Sequence, residues 1–170
     1  MKPHILKTYA STPKIKQISE SLAVRDTKIQ LKGLIGSSLS FVVASLFEKS
    51  DQPYLVILQD KEEAAYYLND LEQLVGEEDV LFYPGSYRRP YQIEETDNAS
   101  VLLRAEVLNR INSRKKPAVI VTYPEALFEK VVTRKELDKN TLKVAVGDQI
   151  SIDFINEVLF EYEFKRVDFI

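Results

Sequence analysis

Apolar positions recur along the chain in two different periods, and the places where the period changes mark the expected elements. Over residues 13–24, Ile15, Ile18 and Leu22 fall at roughly helical spacing opposite Lys14, Lys16, Gln17 and Glu20, which predicts a short amphipathic helix. Residues 29–35, bounded by Asp26 and Gly36, fit a strand, and Ser37 or Ser38 is placed to cap a helix running through Phe47. After Pro53, residues 54–58 form a continuous apolar run, as expected of a strand buried on both faces. Residues 61–75 carry Ala64, Tyr67, Leu68, Leu71, Leu74 and Val75 on one stripe, which predicts a helix ending at a left-handed cap on Gly76. A strand is expected over 79–83, stopped by Pro84-Gly85, followed by a loop over 86–96 with no sustained period. Residues 97–112 return to helical spacing through Val101, Ala105 and Leu108, with Arg104 and Arg110 expected to face away; 118–121 read as a buried strand and Pro124 as the start of a helical turn.

Strands that alternate with helices long enough for crossovers imply a parallel sheet covered on both faces, with strands at Leu31, Val56, Leu81 and Ile120. The polar stretch 133–140 reads as a boundary, which divides the chain into 1–139 and 140–170. In the second part, 142–146 alternates like a half-buried strand and Gly147-Asp148 turns. Ser151 or Asp153 then starts a helix containing Ile152, Ile155, Leu159 and Tyr162. Residues 165–170 begin an extended segment with no later strand to pair it, so the chain is expected to be part of a longer one.

Composition narrows the function classes. In 170 residues, 45% apolar and 29% charged, a packed core is expected, and no apolar run reaches the length of a membrane helix. Without an apolar leader at the N-terminus, the expected location is the cytoplasm. There is no cysteine, and the single histidine, His4, lies in a polar stretch, which argues against a thiolate or histidine metal site. A net charge of −3 opposes a dominant nucleic-acid surface, because such surfaces neutralise phosphates with clustered Lys and Arg.

The segment from Gly33 to Ser40 falls between the expected first strand and its helix, where a phosphate-binding loop would carry G-x-x-x-x-G-K-[ST]. Gly33 and Ser40 are in register, with Gly36 and Ser37 between them, but Ser38 stands for the second glycine and Leu39 for the lysine. An aliphatic side chain at 39 removes the charge that compensates a triphosphate, so neither tight nucleotide binding nor phosphoryl transfer is expected. On spacing alone, an ordinary turn capped by serines is the competing reading.

Several runs taken together resemble the bacterial transcription-repair coupling factors: Leu31 to Ser38, Tyr54 to Leu58, Phe82-Tyr83-Pro84-Gly85 with Pro90-Tyr91, Ala118 to Thr122 followed by Pro124, Glu125, Ala126 and Leu127, and the closing stretch with Val146-Gly147-Asp148 and Arg166-Val167-Asp168. The resemblance implies a UvrB-like region: a RecA-like, doubly wound domain 1a with a degenerate phosphate loop, then the start of a small α+β domain 2 that docks the ATPase UvrA. It also implies a longer protein whose downstream motor uses ATP and Mg²⁺ and meets DNA and RNA polymerase. For this chain it implies no cofactor and a non-catalytic role in UvrA recruitment and autoinhibition. The family often has an aromatic residue where this chain has Ser86, so no role tied to that ring is carried over. The alternative is the nucleotide-binding half of an active P-loop helicase or ATPase, against which Leu39 argues.

Two further places carry candidate contacts. Tyr87, Arg88, Arg89 and Tyr91 interleave aromatics with cations, which suits base stacking beside phosphate pairing, although the same loop can pack its tyrosines and solvate its arginines. Arg166 and Asp168 lie where the resemblance puts the UvrA-docking domain, and they equally suit an exposed strand pair with no partner.

Overall fold

The computed structural model describes residues 4–87, 97–113, 116–139, 141–142, 144–161 and 164. The chain separates into two compact units, Met1–Val132 and Thr133–Ile170.

The first unit is an α/β layer built on a small open sheet. Strands β1 (Tyr54–Ile57), β2 (Val80–Tyr83) and β3 (Val119–Thr122) are all parallel, in the order β1-β3-β2. Leu55, Ile120 and Leu81 stand side by side in register, as do Ile57, Thr122 and Tyr83. The chain leaves β1 through helix α4 (Lys61–Val75), passes over the place of β3 to reach β2, and returns through α5 (Asn98–Ser113) to the middle. Because the two crossovers run in opposite directions, a common right-handed sense puts their helices on opposite faces. Side-chain contacts lie on both faces. Tyr54 meets Phe47 edge to face at 5.9 Å on one, while Arg104 of α5 covers the ring of Tyr83, which points the other way, at 4.2 Å.

Helix α4 shows why its boundaries were readable. Asp60 accepts from the Glu63 N–H at 2.8 Å, and the Glu63 carboxylate accepts from the Gln59 N–H at 2.8 Å. Together they satisfy amides that the first turn leaves unpaired. Gly76 ends the helix with φ 118° and ψ 143°, a positive-φ extended conformation rather than the left-handed helical cap expected, and one that favours glycine equally. Helix α3 (Ser38–Phe47) packs against α4 and against two N-terminal helices, α1 (His4–Ala10) and α2 (Pro13–Leu22). Thr12 caps α2 and Pro13 occupies its first turn. Helix α1 was not expected from the sequence; it is held by Leu6, fully buried, and by Tyr9 stacked on Phe41 at 5.1 Å.

The structure departs from several expectations for this unit. Residues 29–35 form no strand: Ile29, Leu31, Leu34 and Ile35 are exposed, and Gly33 and Gly36 take φ of 80° and 51°, which breaks the extended path. The segment runs beside α2, where Ile29 and Leu31 line a cleft with Ile18, so its alternation is used against a helix and not in a ladder. The sheet therefore has three strands among the described residues, without the one expected at Leu31. Strand β1 is not buried on both faces, since it lies at the sheet edge with Leu55 and Ile57 exposed. Arg104 does not face solvent but is buried, as described below, and Arg110 is half-buried.

A short helix α6 (Pro124–Phe128) follows β3 and closes the first unit's core with Ala126. In the second unit, the polar stretch expected as a boundary contains helix α7 (Arg134–Lys139), whose first turn is capped by the Thr133 hydroxyl. The described residues of 142–146 are not in a strand; Ala145 to Asp148 form a turn in which the Asp148 carboxylate accepts from the Ala145 N–H at 2.8 Å. A strand needs a neighbour, and the described residues of this unit offer none. Helix α8 (Ile152–Glu161) starts at Ser151, whose hydroxyl accepts from the Phe154 N–H, so Ser151 and not Asp153 is the cap.

Candidate functional site

The turn that enters α3 carries the residues expected to mark a lost phosphate loop. Gly33 and Gly36 hold positive φ with open space where a Cβ would stand, so they serve conformation and not close approach. Ser37 caps α3 by position, but its side chain makes no capping bond. The Ser38 hydroxyl donates to the Ile35 carbonyl at 2.6 Å and its N–H to the same carbonyl at 3.1 Å. Leu39 is half-buried. Ser40, at the position where a phosphate loop would hold Mg²⁺, is fully buried and donates to the Asp70 carboxylate of α4 at 3.2 Å. Its hydroxyl is thus part of the α3–α4 contact. What the turn presents is a helix N-terminus, whose free N–H groups attract anions.

A second constellation, at the C-terminal ends of β2 and β3, was not anticipated. Arg104 is only 6% exposed, and its Nη1 donates to the carbonyls of Pro84 at 2.8 Å and Ala126 at 3.0 Å. The same nitrogen lies 3.4 Å from the Glu129 carboxylate. Glu129 in turn accepts from the Ser86 N–H at 2.9 and 3.0 Å and from the Ser86 hydroxyl at 2.6 Å. The Gly85 N–H donates to the Tyr123 hydroxyl at 2.8 Å, and the Thr122 hydroxyl donates to the Tyr83 carbonyl at 2.7 Å. A Cβ on Gly85 would stand 2.8 Å from a Glu129 oxygen and 3.2 Å from the Tyr123 hydroxyl, so a side chain here would have to displace the Glu129 carboxylate from its hydrogen bonds. The Asp97 N–H donates to the Ser86 carbonyl at 2.8 Å, which ties the start of α5 to the same loop.

This cluster fixes the Pro84-Gly85-Ser86 loop at the edge of a parallel sheet where ligands of open α/β folds bind. The sequence held one sign of it. Arg104 lies four residues after Ser100 and three before Val107, both buried, so it occupies the inward stripe of α5 and not the outward one. Glu129 gave no local sign, since its partners are 25 and 43 residues away. Burial raises the ionisation of both Tyr83 and Tyr123 above the usual phenol range. The Arg104 charge opposes the shift for Tyr83, and the Gly85 amide opposes it for Tyr123.

Of the residues singled out from sequence, Gly33, Gly36, Ser37, Ser38, Leu39 and Ser40 share one turn. Tyr87 is half-buried and directly follows the anchored Ser86. Arg88, Arg89 and Tyr91 lie outside the described residues, as do Arg166 and Asp168. Among the described residues no cluster of three or more His, Asp or Glu side chains could hold a metal ion, and no helix is long and apolar enough to cross a membrane.

No family model matches the chain. Over 141 residues it is 26% identical to the transcription-repair-coupling factor of Bacillus subtilis (strain 168), a match that covers 82% of this chain and 12% of that protein. The chain therefore spans about an eighth of the relative's length. Identity at this level supports a distant relationship to that family and a coarse link to DNA repair.

Proposed function

We propose that this chain is a non-catalytic, UvrB-like module of a transcription-repair coupling factor. In this reading it supports recruitment of UvrA and restrains an ATP-driven DNA translocase that acts where RNA polymerase has stalled. The observation that carries the reading is the likeness to the Bacillus factor, which extends over most of the chain. Residues 33–40 are then the remnant of a phosphate loop at the entry to α3, beside a sheet of RecA-like, doubly wound type. The reversal of crossover direction between β1→β2 and β2→β3 supports that topology. The aliphatic Leu39 and the inward-turned Ser40 support the loss of nucleotide chemistry: one removes the charge that a triphosphate needs, and the other ties up the hydroxyl that Mg²⁺ needs. The absence of catalysis concerns this module; ATP and Mg²⁺ belong to a motor elsewhere in the longer protein, along with the main contacts to DNA and RNA polymerase.

In this reading UvrA docking falls to the second domain, of which 140–170 is the beginning, and to residues beyond it. Because a few central residues carry most of an interface's free energy, an incomplete surface should bind far less well than a whole one. Calorimetric titration of UvrA into this chain, and into a version continued through a complete second domain, tests the assignment. Much tighter binding by the longer version is expected, with Arg166→Ala weakening it by about 1–3 kcal/mol through a lost charge-assisted contact. Equal affinity would move docking to the first unit, and no binding by either would remove UvrA from the proposal.

A further inference from the structure

At the opposite end of the strands from the Arg104 cluster, the first unit contains a cleft of about 460 Å³. It lies between the residues entering β1, those entering β3 and the last turn of α5. Its walls are apolar, from Pro53, Ile111, Pro117 and Ile120, and its volume is in the range that holds a small organic ligand. The apolar wall continues along β1, because Leu55 stands beside Ile120 in register and no helix among the described residues of this unit covers it: Leu55 is 55% and Ile57 52% exposed. Strands of a parallel sheet are ordinarily buried on both faces, so this half-face is bare where the fold calls for cover.

The charged groups at the cleft are Asp51, Arg110 and Lys116, and they are not equivalent. Lys116 is already neutralised, its Nζ 2.6 Å from Asp79 and 3.8 Å from Glu78, and Asp51 is exposed to solvent. Arg110 donates through Nη2 to the Glu78 carbonyl at 3.0 Å, but its Nη1 is shielded from solvent and has no acceptor among the described residues. A guanidinium nitrogen left in that state has lost its water without gaining a bond, and an entering carboxylate supplies what it lacks.

We infer that this cleft binds a carboxylate carried on an apolar body, the charge meeting Arg110 after a small rotation of its half-buried side chain and the apolar part lying on Ile111, Ile120 and Leu55. A free short-chain acid and the C-terminal carboxylate of a peptide share that chemistry. The inference is independent of the reading in the previous section, because it uses neither the turn at 33–40 nor the second unit.

The test is NMR titration of the isotope-labelled chain with hexanoate and with its neutral isostere hexanamide. For a ligand this small, a Kd on the order of 1 mM is expected for hexanoate, with amide shifts centred on Arg110, Ile111 and Ala118. Hexanamide, Arg110→Gln and Ile111→Glu should each weaken binding by about tenfold or more. Ile111 is exposed, so its variant keeps the fold and places a repelling charge in the cleft even if the arginine variant does not fold. A second arm compares an acetylated peptide ending in a free leucine carboxylate with its C-terminal amide. Preference for the free peptide over hexanoate assigns the site to a protein C-terminus, and the reverse assigns it to a free acid. Equal binding of acid and amide, shifts located away from the cleft, or no shifts at all would overturn the inference.

Discussion

Two of the turns that the sequence marked with glycine, Gly33 to Ser40 and Pro84 to Ser86, are built on opposite principles. At the first, the glycines have empty space around them and are needed for positive φ; at the second, a side chain on Gly85 would have to push the Glu129 carboxylate aside. The first keeps its contacts within the turn, apart from Ser40 turned toward Asp70, whereas the second is held by donors and acceptors from β3, α5 and the segment after α6. A turn that resembles a ligand site in sequence is therefore the plainer of the two, and the better-organised one carried no motif. Local pattern reports backbone requirements; it does not report which distant side chains converge.

Substitutions can break this comparison, and the largest effect is expected at Arg104. Arg104→Ala leaves the half-buried Glu129 carboxylate without its cation and two carbonyls without a donor, and should cost about 3–5 kcal/mol in urea unfolding. A loss below about 1 kcal/mol would mean that the cluster is replaceable by water. Gly85→Ala forces a Cβ against Glu129 and the Tyr123 hydroxyl and should cost about 1–3 kcal/mol. Ser40→Ala removes a single hydrogen bond to a half-buried carboxylate, with an expected loss of about 1 kcal/mol.

The smallest effect expected is the pH dependence. Burial raises the Tyr83 and Tyr123 phenols above their ordinary value near 10, so the folded state retains protons that the unfolded chain releases. Stability from this source is fully present below about pH 10 and falls as pH rises through the folded-state values. Tyr83→Phe should flatten the alkaline limb of the unfolding midpoint against pH; an unchanged slope would contradict burial as the cause.

How much was legible in the sequence follows from the same distinction. Helix α4 was readable because Asp60, Glu63, the apolar stripe and Gly76 all act within a few residues of one another. The strands at 54–57, 80–83 and 119–122 were readable as bounded apolar runs, and the parallel α/β class followed from their alternation with helices. The segment 29–35 was misread because alternation states which side chains share a face and not whether a neighbouring strand exists. Helix α1 escaped notice because under two turns give too short a pattern, although Leu6 and Tyr9 supply real contacts. Arg104 was read as outward because its charge outweighed its place in the stripe. Its burial requires Glu129 and two carbonyls that no local window contains.

The proposal that the turn before α3 has no nucleotide chemistry is tested most directly by isothermal calorimetry with ATP and Mg²⁺. The account predicts no saturable heat with ATP·Mg²⁺ at micromolar concentrations and no release of phosphate over hours, with at most weak anion binding at the helix N-terminus. A micromolar Kd, about 8 kcal/mol of binding free energy, would contradict it.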